Sequence, residues 1–340
     1  MISHLYKSTE NFFNENITSV RFASPDWKLE GGKLFFMGSC FAENLYKTMT
    51  DLKLDTQISP FGNIYNPESI LEAVKLISGK NKIDASDIFE NNAKFYHFMF
   101  HTQKTSDSRE KLFAEINSEL EAARSFLKSA EAVVITLGTS FVYKLDKDIS
   151  PAYKKGSIVN NCHKLPSKDF ARESLSVDTA TKALEDAIKE LLSINQNLKI
   201  IISLSPVRHL RDNATENSLS KATLRCSIEN VVRNNKSWYF PSYEIVLDEL
   251  RDYRWYAEDL CHPNQKAVDY IISRFISSVY SKNFTEFLGE WLKIITDLNH
   301  RPINPESEGY KSFIDKTLQK QDTLLKKYPE IDLRIQALQK

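Results

Sequence analysis

Two short stretches, far apart in the chain, carry side chains able to do acyl-transfer chemistry. In the first, the apolar run Leu34, Phe35, Phe36, Met37 ends in Gly38-Ser39-Cys40, which sets a hydroxyl and a thiol side by side on a small-residue turn. A strand, a tight turn and a following helix are how α/β acyl-transfer enzymes present a nucleophile. The helix N-terminus then offers backbone N–H groups to an oxyanion. In the second stretch, Asp259 and His262 stand three residues apart in Asp259-Leu260-Cys261-His262-Pro263-Asn264. At that spacing on a loop the carboxylate can hold one imidazole nitrogen and stabilise the charged ring. The other nitrogen is left to take a proton from a nucleophile. Each stretch also has a plain structural reading. Buried strands commonly end in Gly-Ser, and Asp, Asn and Pro gather at helix starts as caps. A strand-end nucleophile and an Asp–His pair in one chain favour catalysis.

Such a site needs strands that end together. In open parallel sheets, ligands bind at the carboxyl ends of the strands. Besides the run at 34–37, a β-branched run at 132–143 contains the turn Gly138-Thr139-Ser140, and LKIIISL at 198–204 is closed by Ser205-Pro206. Helical periodicity lies between them. It begins near Pro67 (Ile70, Leu71, Val74, Ile77) and recurs at 108–129 (Leu112, Phe113, Ile116, Leu120, Ala123, Leu127), 176–194, 217–234 and 265–280. The segment 79–110 is polar and irregular apart from an aromatic cluster at 95–101, and 144–175 reads as loop. This alternation predicts an α/β fold, a three-layer α/β/α arrangement with a mostly parallel central sheet. The expected divisions are an N-terminal arm (1–30), an α/β catalytic domain (31–282) and a C-terminal helical extension packed on the core (283–340).

Composition narrows the partners. Lys plus Arg and Asp plus Glu balance at 45 each in 340 residues, so no global attraction to nucleic acid or an anionic membrane is expected. No run of about 18 apolar residues marks a membrane span, and the first residues lack a signal core, which predicts a cytoplasmic protein. The four cysteines (Cys40, Cys162, Cys226, Cys261) form no CxxC pair, so free thiols are expected and a zinc site is not. No cofactor or metal is expected. The oligomeric state is not legible.

The chain resembles the GSCFA family, a divergent branch of the SGNH (GDSL-like) hydrolase superfamily. The signature itself stands at 38–42, and PFGNIYNP (60–67), NCHKLP (161–166), SPVRH (205–209), FPSYEI (240–245) and HRPINPESE (300–308) extend the likeness. The resemblance implies an SGNH-like fold with a catalytic nucleophile, His262 and Asp259. In the superfamily's Gly-Asp-Ser turn the nucleophile lies two residues after the glycine. Here that position is Cys40, and Ser39 falls where the aspartate stands. The register therefore favours Cys40 over Ser39, and a thiol beside a histidine needs less help from a base than a hydroxyl does.

The resemblance also implies an oxyanion hole built from the Cys40 and Gly62 N–H groups. The usual third-block Asn is replaced by Ser140, so Asn63 or Asn161 is the alternative donor. His163, Arg208 and His209 are candidate substrate-binding residues; an ion pair of Arg208 with Asp212 or Glu216 is the structural alternative. Lys221 reads as a solvated or paired charge, and Tyr253, Trp255 and Tyr256 as either a stacking wall for a sugar or core. The implied activity is acyl-ester hydrolysis (esterase or deacetylase) through an acyl-enzyme, on an O-acylated carbohydrate or other small ester. An O-acyltransferase using the same site is one alternative. A catalytically inactive binding or scaffold protein on the same fold is another.

Overall fold

Strand β1 (Leu34–Gly38) is buried at every position, as a strand covered on both faces must be. The same holds for β5 (Ala132–Leu137), and β9 (Lys199–Leu204) is buried at all but its first residue. Their β-branched and aromatic side chains suit a pleated interior. The computed structural model describes residues 18–234, 237–329 and 331; residues 1–17 of the expected N-terminal arm lie outside them.

The central sheet has five strands in the order β10-β9-β5-β1-β2, with β2 at Thr56–Asn63 and β10 at Ser237–Phe240. Pairing is parallel between β1 and β5, β5 and β9, and β9 and β10. In register, Gly38 faces Thr136 and Leu137 faces Leu204, so these strands end level with one another. From β1 the chain adds β2 on one side and β5, β9 and β10 on the other. That reversal makes the carboxyl ends of β1 and β5 a topological switch point, where such sheets bind ligands.

Helix α1 (Cys40–Asp51) follows β1 directly. Helix α2 (Pro67–Ser78) starts with Asn66 accepting from the Ser69 N–H and with Pro67 in its first turn, and it stops at Gly79 in the left-handed conformation. Helices α3 (Arg109–Ser129) and α4 (Val177–Ile194) are capped by Ser108 and Ser176, and α5 (Ala214–Asn234) follows β9. Alternate strand residues Phe35, Val133 and Ile200 join Val74, Ile116 and Ile188 of these helices in one apolar cluster. The fold is thus α/β, with a mostly parallel central sheet flanked by helices and a C-terminal helical region.

Two connections hold more structure than expected. Residues 144–175, expected as loop, include strands that pair with β6 (Phe141–Leu145): β7 (Ile158–Val159) and β8 (Phe170–Ser174) form with it a sheet in the order β7-β6-β8. The sequence of strand β8, Phe-Ala-Arg-Glu-Ser, has no apolar–polar alternation, so its strand form depends on pairing with β6 rather than on a local pattern. The aromatic stretch at 95–101 enters a hairpin of β3 (Phe89–Asn91) and β4 (Lys94–Tyr96), after which His97, Phe98 and Phe100 are buried.

The chain forms two compact units. The first comprises Leu34–Asn44 and Gln57–Tyr243; the second holds the described residues of Met1–Lys33, Leu45–Thr56 and Glu244–Lys340. Residues 244–282, which the sequence reading joins to the sheet, therefore group with the C-terminal helices. In this second unit, α6 (Gln265–Val279) leads into α7 (Lys282–Leu298), and α8 (Glu308–Lys327) follows. Tyr280 stacks on Phe284 and Phe287 on Trp291, at 4.2 and 5.7 Å between centroids. The Trp291 indole N–H donates to the Leu52 carbonyl at 2.9 Å. No described helix is long and apolar enough to cross a membrane.

Candidate active site

Gly38 turns the chain out of β1 at φ +125, a region L residues rarely adopt, and a Cβ there would lie 2.1 Å from the Thr136 carbonyl oxygen. Only glycine lets β1 end this close to β5. The next two residues then part company. The Ser39 N–H donates to the Thr136 carbonyl (2.9 Å) and side-chain oxygen (2.8 Å), and the two hydroxyls share a further 2.8 Å hydrogen bond. Ser39 is 1% exposed. Its hydroxyl staples the turn to the neighbouring strand. Cys40 opens helix α1 and remains partly exposed.

The Cys40 thiol is held above the ordinary range of a cysteine. Burial is the main cause and Glu43 adds to it; the Lys221 charge and the backbone N–H groups of Cys40 and Phe41 pull the other way.

Tyr65 supports this turn from the connection after β2. Its carbonyl accepts from the Gly138 and Thr139 N–H groups (2.8 and 3.1 Å), which spends both donors at the end of β5. Its ring leaves no room for a Cβ on Gly138, which would sit 2.9 Å from Cδ1, and meets His209 edge-on at 5.3 Å. Burial raises the Tyr65 phenol, Cys40 raises it further, and a hydrogen bond from the Asn63 side chain lowers it. Asn63, Tyr65 and Cys40 thus form one electrostatic neighbourhood. Gly62 adopts φ +76 beside His101, whose Cβ would be 2.7 Å from an added Cβ.

Other expected residues are committed elsewhere in the first unit. The Ser140 hydroxyl bonds that of Ser174 (2.9 Å), and its N–H donates to Ser220 Oγ (2.8 Å). Asn161 Oδ1 accepts from Thr102 Oγ1 and the His163 N–H, which closes its own loop. His163 is buried against Phe89, Tyr96 and Phe98, with Nε2 at 3.0 Å from the His97 carbonyl. Burial pushes its pKa down to about 4, so its ring is a neutral part of an aromatic core. Arg208 is exposed, and Asp212, its expected ion-pair partner, pairs with Arg172.

In the second unit, Asp259 and His262 form the pair the spacing predicts. Asp259 Oδ2 lies 2.6 Å from His262 Nδ1, while Oδ1 accepts from the Cys261 and His262 N–H groups at 3.0 and 2.9 Å. These bonds, the two backbone ones first, pull the carboxyl down to about 2. The loop is closed by the Ala257 N–H to the His262 carbonyl (2.8 Å) and the Asn264 N–H to the Trp255 carbonyl (2.8 Å). The cap of α6 is Asn264, whose Oδ1 accepts from the Ala267 N–H at 3.1 Å. Asp259 is thus free of capping work and serves the imidazole. The arrangement fixes Nδ1 and leaves Nε2 to exchange a proton. Of the nearby aromatics, Tyr253 is exposed and Trp255 is buried. Among the described residues, no group of three or more His, Cys, Asp or Glu could hold a metal ion.

Lys221 departs from its sequence reading as a solvated or paired charge: it is buried, and its ammonium binds two main-chain carbonyls. Helical spacing alone offers no signal for this, because the partners lie just past the ends of two strands.

The family model described as GSCFA family matches residues 33–275, and that of the GSCFA domain protein, C-terminal domain, matches 291–336. Comparison with curated proteins found no match. Among solved structures, an acetyl xylan esterase (Est2A) from the rumen bacterium Butyrivibrio proteoclasticus is similar at 13% identity and a TM-score of 0.37, over 76% of this chain and 64% of that one.

Proposed function

Because the chain belongs to the GSCFA family, we propose that it is an SGNH-like acyl-ester hydrolase acting on a small ester, such as an O-acylated carbohydrate. The observation that carries the reading is the division of labour at the β1 turn. The serine hydroxyl is buried against Thr136, and the thiol beside it stays partly exposed at a helix N-terminus. A thiol held above its ordinary range needs a base, and His262, oriented through Nδ1 by Asp259, is a base with one nitrogen left to work.

In this reading a general base, the role that the family resemblance implies for His262, takes the Cys40 proton as sulfur attacks the ester carbonyl. The Cys40 N–H, the Gly62 N–H and the Asn63 amide are the proposed donors to the oxyanion. Each such donor is typically worth about 3 kcal/mol of transition-state stabilisation. As the tetrahedral intermediate collapses, the carbon–oxygen bond to the alcohol breaks and His262 returns the proton to the leaving oxygen. The acyl group is then a thioester on Cys40. Water, deprotonated by His262, cleaves the thioester, releasing the acid and restoring the thiol.

The test is stopped-flow hydrolysis of p-nitrophenyl acetate, with mass spectrometry of the intact chain. A burst and a transient acetyl adduct on Cys40 are expected, both lost in Cys40→Ala and His262→Ala. Accelerated release on adding a sugar alcohol would make the enzyme an acyltransferase. Absence of both burst and adduct in the wild-type chain sinks the hydrolase reading.

A further inference from the structure

The carboxyl edge of the sheet contains a charged group that the proposed reaction does not use. Lys221 lies in α5 and is 2% exposed. Its ammonium donates to the carbonyl of Gly138 at 2.6 Å and to that of Ser205 at 2.7 Å. Each of these residues directly follows its strand, Gly138 after β5 and Ser205 after β9, and the two strands run parallel with Leu137 facing Leu204. The Ser205 N–H also donates to the Leu137 carbonyl at 2.8 Å, so the edge is already tied together without the lysine.

The residue before it completes the grip. Ser220 Oγ bonds Thr139 Oγ1 at 3.1 Å and accepts from the Ser140 N–H at 2.8 Å. Together, Ser220 and Lys221 hold the whole Gly138-Thr139-Ser140 turn from α5. Two carbonyls can be satisfied by any neutral donor. A buried ammonium, whose desolvation is costly, is a poor choice for a clamp alone. Its charge makes sense if something nearby becomes negative.

The nearby group is Cys40. Gly38 faces Thr136 in register, so Cys40 and Gly138 each stand two residues beyond that pair; the Ile64 N–H donates to the Gly38 carbonyl at 2.8 Å, and the carbonyl of the next residue, Tyr65, binds the Gly138 N–H, whose own carbonyl binds Lys221. Within its own unit, the described charged and titratable groups that act on the thiol include Glu43 on its own helix, Tyr65 after β2 with His209 against it, and Lys221 on α5. Of Glu43 and Lys221, the charges acting directly on the thiol, Glu43 opposes a negative sulfur and Lys221 favours it.

We propose that Lys221 is a positioning residue that clamps the ends of β5 and β9 and supplies a positive charge that favours the Cys40 thiolate. Its role in turnover rests on the hydrolase reading above; its effect on the thiol does not, and is measured without any ester. The probe is iodoacetamide alkylation of the full-length chain from neutral to alkaline pH, followed peptide by peptide, with Cys162 as the internal reference.

Lys221→Gln keeps a donor for the carbonyls and removes the charge; Lys221→Arg keeps the charge. The neutral variant should move the Cys40 midpoint upward by about one pH unit, which is about tenfold slower labelling below the midpoint. The arginine variant should stay close to wild type, and Cys162 should not respond to either. An unchanged Cys40 midpoint in folded Lys221→Gln, or an equal shift in Lys221→Arg, overturns the proposal. Lys221→Met is the second neutral variant. If neither neutral variant folds while Lys221→Arg does, the charge serves the fold rather than the thiol and the proposal fails. An unchanged midpoint with an intact ester burst removes this inference and leaves the hydrolase standing. A shifted midpoint in a chain with no burst does the reverse.

Discussion

Replacing Ser39 by alanine separates the two candidate nucleophiles by stability as well as by activity. The substitution deletes a buried hydroxyl that bonds Thr136 Oγ1 at 2.8 Å and accepts from the Phe41 N–H at 3.4 Å, without opening a sizeable cavity. Thr136 Oγ1 keeps the Ser39 N–H as a donor, also at 2.8 Å, and the Thr136 carbonyl keeps its own bond from that N–H. The loss is that of one ordinary buried hydrogen bond and one long one from the Phe41 N–H, about 1–2 kcal/mol. Urea denaturation should show a midpoint lowered by that amount at unchanged slope. The ester burst and the labelling of Cys40 should survive within a few fold, because the thiol and its neighbours are retained. Cys40→Ala should show the opposite pattern, with near-native stability and no burst. A Ser39→Ala chain that loses the burst while Cys40→Ala keeps it would refute the assignment and make the staple itself the nucleophile.

Gly38→Ala should cost about 2–6 kcal/mol, summing positive-φ strain and the clash with the Thr136 carbonyl, and circular dichroism melts will read it. Asn264→Ala should cost about 1 kcal/mol as the loss of the α6 cap, measured by urea midpoint, whereas Asp259→Asn should leave that helix intact and slow the ester burst. Burial depresses the imidazoles of His97 to about 3 and His163 to about 4, below the ordinary 6.5. The unfolded chain therefore takes up their protons first, and stability should fall as pH drops from 6.5 toward 4, by up to about 1.4 kcal/mol per pH unit for each ring. His163→Phe should flatten that slope; an equally steep urea-midpoint profile in the variant would show that other groups dominate acid lability.

Much of the fold was legible because its signals are local. Continuous apolar runs at β1, β5 and β9 could only be doubly covered strands, and the serine and asparagine caps of α2, α3, α4 and α6 stand where helical periodicity starts. The small sheet of β6, β7 and β8 was not legible, since the sequence of β8 has no apolar–polar alternation and the segment acquires strand geometry by pairing with β6. His163 illustrates the same limit at the level of a side chain. Its loop context reads as a candidate substrate-binding position, yet Phe89 and Phe98 bury it from elsewhere in the chain.

The sequence by itself determined which atoms are available for chemistry and the one part of the site that closes within a few residues. Asp259 reaches the His262 ring and two N–H groups of its own loop, so a spacing of three sufficed to predict the pair. Only the tertiary structure shows which of the neighbours on the β1 turn is buried and which stays partly exposed, and that Lys221 is buried. Ser39 is withdrawn by Thr136, 97 residues away, and Lys221 is drawn inward by the Gly138 carbonyl, 83 residues away. Burial and hydrogen-bond satisfaction at those positions depend on where the ends of other strands fall, and register between strands is a property of the folded sheet rather than of any local pattern.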